Sequence, residues 1–508
     1  MKIKIILLTL MLGHIFTNYT VDRTCLSEAI VKKYGSPCVR NVCTSNPLCQ
    51  IYTNQNMCLL TDQIPTELQN LCYAIYPTNF CAYNTARLNY NKRFNYFPHA
   101  IIQPECIEQV AYVISIFKKY NLPFSLRSGG HCYGPGSLSN GYVLDLTNFR
   151  AIDLDIENQT VFIGAGAVLG EVIQKLGNYN FAIPTGSCSS VGAIGLALGG
   201  GLGLLARQYG LTSDSIKSIT MINANSEIIE ATATNQYSDL FYALCGAGNG
   251  SYGVVLGMTF NMHYIPQATF VKLIFPWDTT LIPIIVQTWQ TWITTLPNSI
   301  TSELTFRVLN GYPRFSIAAL KANGEPFTEW QAAFSSFSPM VSITTGTYLQ
   351  CATQAASSYT QPFSKARSKF LFTPFSNAAI AVILNYINQL QIQQAHYLFY
   401  LELGSGGGAL LNGNSAYFPR SAFAWLFLFL YWNFQDQTVA ALNSINSIYN
   451  DLEPFTSPYS YANLVDYELG NTYLNAYYGT NVPLLVQIKN KYDPLNLFKW
   501  RQSIPLTV

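Results

Sequence analysis

From Pro104 onward apolar side chains recur at helical spacing. Val110, Val113, Ile114 and Phe117 share one face, and Lys118 and Lys119 stand where a helix C-terminus favours cations. Short apolar stretches follow at Phe124 to Leu126, Tyr142 to Leu146 and Val161 to Gly164. A second helix fits Leu169 to Leu176, and strands are predicted over Ile216 to Ile222, Glu227 to Ala231 and Val254 to Phe260. Strands alternating with helices predict an α+β or α/β layered fold. After about Gln267 the texture changes to longer segments rich in Trp and Phe. Residues 423–432 (FAWLFLFLYW) carry no charge and read as a buried strand. On a strand, Trp425, Phe427, Phe429 and Tyr431 line one face; a buried helix is the alternative.

Residues 176–206 hold no charged side chain, and Val191 to Ala206 is built of Val, Ile, Leu, Ala and Gly. A lipid-spanning helix is disfavoured by the glycines, by Pro184 and by the SCSS tract upstream. Clustered glycines instead mark backbone in close approach to something, such as a ligand. Gly201-Leu-Gly203-Leu-Leu-Ala206 matches the dinucleotide pattern GxGxxA, but no ordinary strand precedes it and no acidic residue stands at the proper offset, so a Rossmann site is rejected.

Charge narrows the partners. The chain of 508 residues carries 28 Lys+Arg against 26 Asp+Glu, a net +2, without basic blocks, which argues against nucleic acid. Lys2, Lys4 and the apolar run Ile5 to Phe16 read as a signal peptide ending near Thr17, too short to span a bilayer, with an uncleaved anchor as the alternative. Eight cysteines (Cys25, Cys38, Cys43, Cys49, Cys58, Cys72, Cys81 and Cys106) follow it and predict a disulfide framework in a secreted chain. CxxC pairs and nearby His are absent, so no metal site is expected. Sequons stand at Asn18, Asn158 and Asn249.

Chemistry first shows at Arg127-Ser128-Gly129-Gly130-His131. Successive glycines let backbone N–H groups converge on an anion such as a pyrophosphate, and a His directly after such a nest lies close to whatever the phosphates anchor. A turn with a solvated His is the bland alternative. This segment resembles the flavin-attachment loop of the berberine-bridge-enzyme-like flavoproteins. PTGSCSSVGAIG at 184–195, GGGLG at 199–203 and RQYGLTSD at 207–214 are similar to that family's second attachment segment. GAGNGSYGVV at 246–255, YYGTN at 477–481 and KYDPLNLFKWRQSI at 491–504 resemble its later signatures.

The resemblance implies an α+β fold: a two-part PCMH-type FAD-binding domain plus an α+β substrate-binding domain with an antiparallel sheet covered by helices on one face. Its boundaries fall at 1–17 (signal peptide), 18–95 (cysteine-rich extension), 96–266 (FAD-binding), 267–455 (substrate-binding) and 456–508 (a segment returning to the FAD domain). It implies FAD bound covalently through His131, at the 8α-methyl carbon, and Cys188, at ring carbon 6; a disulfide from Cys188 to Cys132, Cys245 or Cys351 is the alternative. Arg127, Ser128, Gly129, Gly130, Tyr133, Gly192, Gly200, Gly201, Val255, Tyr477 and Asn496 are implied to bind the cofactor. Asn249 then lies near it and is not expected to be glycosylated.

The family oxidises a C–H next to a hydroxyl or amine of a small molecule by hydride transfer to flavin N5, and a base must take the accompanying proton. Its usual Tyr-x-Asn-Tyr-x-Asp reads Tyr461-Ala-Asn463-Leu464-Val-Asp466 here, so the second tyrosine is lost. Tyr461 and Glu402 are the substitutes, against the alternatives of a packed Tyr and a strand-end carboxylate facing water. Cys245 stands where relatives commonly have arginine. Compact Val191 implies reoxidation by O2, giving hydrogen peroxide, over a quinone-like acceptor. An aromatic, nearly uncharged pocket is expected, favouring an apolar or aromatic substrate over a polyol or sugar. The competing function is a secreted flavin-containing binding or structural protein without turnover.

Overall fold

The computed structural model describes residues 65–507 apart from 70, 357–360 and 394–395. The expected leader, Asn18 and the cysteines from Cys25 to Cys58 lie outside the described residues.

The first sheet runs in the order β1-β2-β4-β3: β1 (Ala74–Ile75), β2 (Ala100–Ile102), β3 (Phe124–Arg127) and β4 (Tyr142–Asp145). β4 pairs in parallel with β2 and β3, and helix Ile107–Tyr120 makes the crossover. That helix buries Val110, Val113, Ile114 and Phe117, the face its periodicity predicts. The next strands are β5 (Ile152–Asp155), β6 (Thr160–Gly164), β7 (Phe181–Ala182), β8 (Ile216–Ile222), β9 (Ile228–Ala231), β10 (Val254–Asn261) and β11 (His263–Tyr264). Five of them form an antiparallel sheet, β5-β6-β10-β8-β9, and β7 pairs with β11.

The charge-free stretch breaks into short pieces. Helix Ala193–Leu198 ends at Gly199, and loop follows to helix Ala206–Tyr209. Among the described residues no helix is long and apolar enough to cross a membrane.

The third sheet is antiparallel throughout, in the order β15-β12-β14-β13-β17-β18-β16. Its strands are β12 (Ala268–Phe275), β13 (Ile300–Leu309), β14 (Tyr312–Lys321), β15 (Met340–Gly346), β16 (Phe363–Leu371), β17 (Leu398–Ser405) and β18 (Ala424–Trp432). Strand side chains alternate between faces, and here the alternation is strict. Leu304, Phe306, Leu401, Leu403, Leu426 and Leu428 are buried in one core with helices Ile282–Thr295, Asn377–Ile392 and Thr438–Asp451. The opposite face looks into a large cavity. Residues 423–432 are therefore apolar at every position because β18 is covered on both faces.

The chain end returns to the second sheet's core: Tyr477, Leu485, Ile488 and Ile504 pack with Leu240, Leu244 and Met258. Fully buried Lys489 fixes it, donating to Asp493 Oδ2 at 2.7 Å and to the carbonyls of Ser251 and Phe498 at 2.6 and 2.7 Å. Part of the cysteine-rich extension joins the fold as well, since β1 pairs with β2 and Leu68 is buried. Cys72 and Cys106 are disulfide-bonded, while Cys81 is a free, exposed thiol.

Candidate active site

β3 carries the chain into the 127–131 loop, and the Arg127–Asp145 pair anchors it from below at 2.8 Å, both side chains buried. Ser128 Oγ donates to the Ala165 carbonyl. Gly129 meets Gly192 of the second loop backbone to backbone. A Cβ on Gly129 would lie 2.5 Å from Gly192 N, and one on Gly192 would lie 2.6 Å from Gly129 N. Only two glycines allow that approach. Its consequence is that His131 Nε2 and Cys188 Sγ stand 3.6 Å apart.

Cys188, Cys132, Cys245 and Cys351 are all free thiols, so Cys188 has no disulfide. Burial pushes the His131 imidazole down to about 4, leaving it neutral and nucleophilic at ordinary pH. Its ring stacks on Tyr90 of the extension at 3.6 Å, a contribution no sequence pattern revealed.

These groups share one cavity of about 790 Å³, within the ~300–1,000 Å³ range of cofactor and ligand sites. It runs from Gly250, Gly253 and Trp500, past the 127–131 loop, to the third sheet. Arg127, Ser128, Gly129, Gly130, His131, Tyr133, Cys188, Gly192 and Val255 all line it, as do Val191 and Leu464. A glycine loop, a neutral imidazole and a free thiol on one elongated cavity fit a dinucleotide-type flavin. Asn249 lines it too, its amide donating to Asn463 Oδ1 at 3.1 Å.

Four expected cofactor residues do not line the cavity. Gly200 packs on Tyr417, and Gly201 on Thr212 while its N–H donates to the Tyr461 hydroxyl at 3.0 Å. The Tyr477 hydroxyl accepts from Asp466 N–H at 2.8 Å and donates to Gln502 at 3.1 Å. Asn496 occupies a left-handed turn, φ 51°, closed on the Asp493 carbonyl. Its side-chain oxygen is buried without a hydrogen-bond partner among the described residues.

Tyr461 and Glu402 both line the cavity. The Tyr461 oxygen accepts from Gly201 N–H and from Asn463 Nδ2 at 2.8 Å, yet burial still lifts the phenol to about 12. Glu402 is not a strand-end carboxylate in water: it sits mid-strand on β17, facing inward. Burial raises it to about 7, against the opposing pull of the Trp425 indole. Glu303 of β13 lies on the same face, and burial plus the charge of Glu402 raise it well above the carboxylate range.

The expected nearly uncharged pocket is corrected here. Trp425, Phe427, Phe429 and Tyr431 do line the cavity, but so do Glu303, Arg307, Arg314, Lys272 and Glu402. The missing signal was the alternation Glu303-Leu-Thr305-Phe-Arg307-Val, which places polar side chains on one strand face.

Residues 98–232 match the FAD binding domain family, and residues 460–505 match the family described as berberine and berberine like. An uncharacterized FAD-linked oxidoreductase of Bacillus subtilis (strain 168), YgaK, is 30% identical over 438 residues, covering 83% of this chain and 94% of its own. The chain belongs to the berberine bridge enzyme-like FAD-linked oxidoreductases. The solved structure of wild-type BBE-like 1 from Physcomitrella patens superposes on this family member with a TM-score of 0.77 at 25% identity, covering 90% of this chain and all of that one. A chitooligosaccharide oxidase does so with a TM-score of 0.75 at 25% identity, covering 88% and 98%. The fold is thus the PCMH type, and FAD is the cofactor its family binds.

Proposed function

We propose that this protein is an exported oxidase whose FAD is held by two covalent bonds, to His131 and Cys188, and that it oxidises a C–H next to a hydroxyl or amine. One observation carries the reading: a single cavity is lined by the His131–Cys188 pair at one place and by the Glu402 carboxyl at another. When bound, the flavin supplies a two-electron acceptor that takes hydride from the substrate carbon and is reoxidised by O2 to hydrogen peroxide. The chain supplies the rest. His131 and Cys188 fix the ring as nucleophiles. Glu402 takes the hydroxyl proton, its pKa near 7 matching a base at neutral pH. Tyr461, too weakly acidic at about 12 to lose its proton there, orients the substrate as a hydrogen-bond donor. The small side chain of Val191 leaves the O2 path open. Family relatives include an oxidase named for an oligosaccharide, which supports a hydroxyl-bearing substrate.

The test is acid precipitation of the purified protein, followed by an anaerobic panel of alcohols, sugars and amines and readmission of air. The pellet should stay yellow and lose its colour only in the His131→Ala/Cys188→Ala double variant. A substrate should bleach the flavin, and air should restore it. A colourless wild-type pellet would overturn the covalent cofactor. A yellow protein that nothing bleaches would favour a binding protein without turnover, and one that bleaches but stays reduced in air would favour a dehydrogenase.

A further inference from the structure

Lys272, Arg307 and Arg314 stand on the adjoining strands β12, β13 and β14, and all three line the cavity. Arg307 and Arg314 are direct cross-strand partners. Like charges placed so are unfavourable unless something neutralises them. Among the described residues the ion pairs involve other cations, and none reaches these three. Glu402 and Glu303, on the same face, form no ion pair with them. Arg307 is half-buried, its guanidinium 5.3 Å over the Tyr400 ring, and its Nε is buried without a hydrogen-bond partner. A buried donor of this kind calls for an acceptor. Lys272 and Arg314 are exposed, which places them at the cavity mouth.

Across the same face, β18 presents Trp425, Phe427, Phe429 and Tyr431. β17 with Glu402 separates it from β13. Two strand spacings, about 10 Å, therefore lie between the cationic edge and the aromatic stripe.

We infer that this cationic edge docks the carboxylate of a ring-bearing substrate, with Arg307 as its principal contact, the ring against the β18 aromatics and the reacting carbon between them beside Glu402. The assignment rests on the oxidoreductase reading above for its last element only. An acidic sugar and an aromatic acid share the required chemistry.

Calorimetric binding to the holoprotein distinguishes them with two pairs of probes: digalacturonate against its dimethyl ester, and p-coumarate against p-coumaryl alcohol. The acid of one pair should bind about tenfold or more tightly than its neutral partner, the ratio of one charge-assisted hydrogen bond. The preference should fade between about 0.01 and about 1 M salt, as the Debye length shrinks from about 30 to about 3 Å. Arg307→Gln should abolish it without altering affinity for the neutral partner, Arg307→Lys should restore part of it, and the melting temperature of Arg307→Gln should not fall. Equal affinity within both pairs, no binding of either acid, or an acid preference that survives Arg307→Gln would overturn the proposal. Oxygen is excluded from the cell, so binding heat is not overlaid by repeated turnover. A colourless protein that still prefers the acid would remove the redox chemistry and keep the site, whereas a yellow protein blind to charge would do the reverse.

Discussion

Glu402 and Phe427 are direct partners in the antiparallel pairing of β17 and β18. The Phe427 ring in turn stacks on Tyr461, with centroids 5.5 Å apart and planes 8° from parallel. The carboxylate that β18 lacks is thus supplied in the same cross-strand row by its neighbour. This relationship makes Glu402 the candidate base in a chain whose motif has Leu464 at the usual tyrosine position.

Glu402→Gln should lower kcat by about 10²–10⁴, the range for loss of a general base, with flavin content unchanged. In the wild type, kcat/KM should fall as pH drops below about 7, because protonation removes the base. A flat profile from pH 5 to 9 (roughly two units either side of that pKa) would exclude it.

The same residue predicts a stability effect of definite sign. Its folded pKa, about 7, lies above the ordinary carboxylate value, so between the two the folded state holds the extra proton. Stability is then lost as pH rises through that window. Glu402→Gln removes the loss, so its melting temperature should exceed that of the wild type at pH 8 and converge with it near pH 4 (about the unfolded-state value). Thermal scans at the two pH values check this.

Gly192 and Gly195 should respond oppositely to alanine. At Gly192 the new Cβ meets the Gly129 backbone at 2.6 Å, forcing the His131 and Cys188 loops apart, and about 1–3 kcal/mol of stability should go. At Gly195 a Cβ meets nothing within 4 Å and points into space bordering the cavity. Gly195→Ala should keep or raise the melting temperature of the apoprotein while lowering flavin loading. Denaturation curves and the absorbance ratio of flavin to protein separate the cases.

Lys489→Met should cost about 3–5 kcal/mol, because it leaves the Asp493 carboxylate charged, buried and without its cation. Urea unfolding of the apoprotein measures it. A loss under about 1 kcal/mol, the scale of an exposed pair, would show that the chain end contributes little to the core.

The helix over Ile107–Tyr120 and strand β8 were legible because their periodicity is local: one apolar face or one short run suffices. The glycine loops were legible for a related reason, since successive glycines serve few purposes other than close approach. That the Tyr477 hydroxyl is engaged by Asp466 and Gln502 was not legible. A signature records that a residue is required, not whether it touches the ligand or holds the backbone that does.

The sequence by itself determined the helix over Ile107–Tyr120, strand β8 and the aromatic face of β18, each carried by spacing within one segment. Tertiary structure alone decided that Glu402, Glu303, Arg307 and Lys272 would meet over that cavity. These residues come from strands up to 130 positions apart, joined only by the order β12-β14-β13-β17-β18. Alternation tells which face a strand side chain takes; which strand lies beside it is set by long-range pairing and by helices packed on the far side, and no local pattern encodes that.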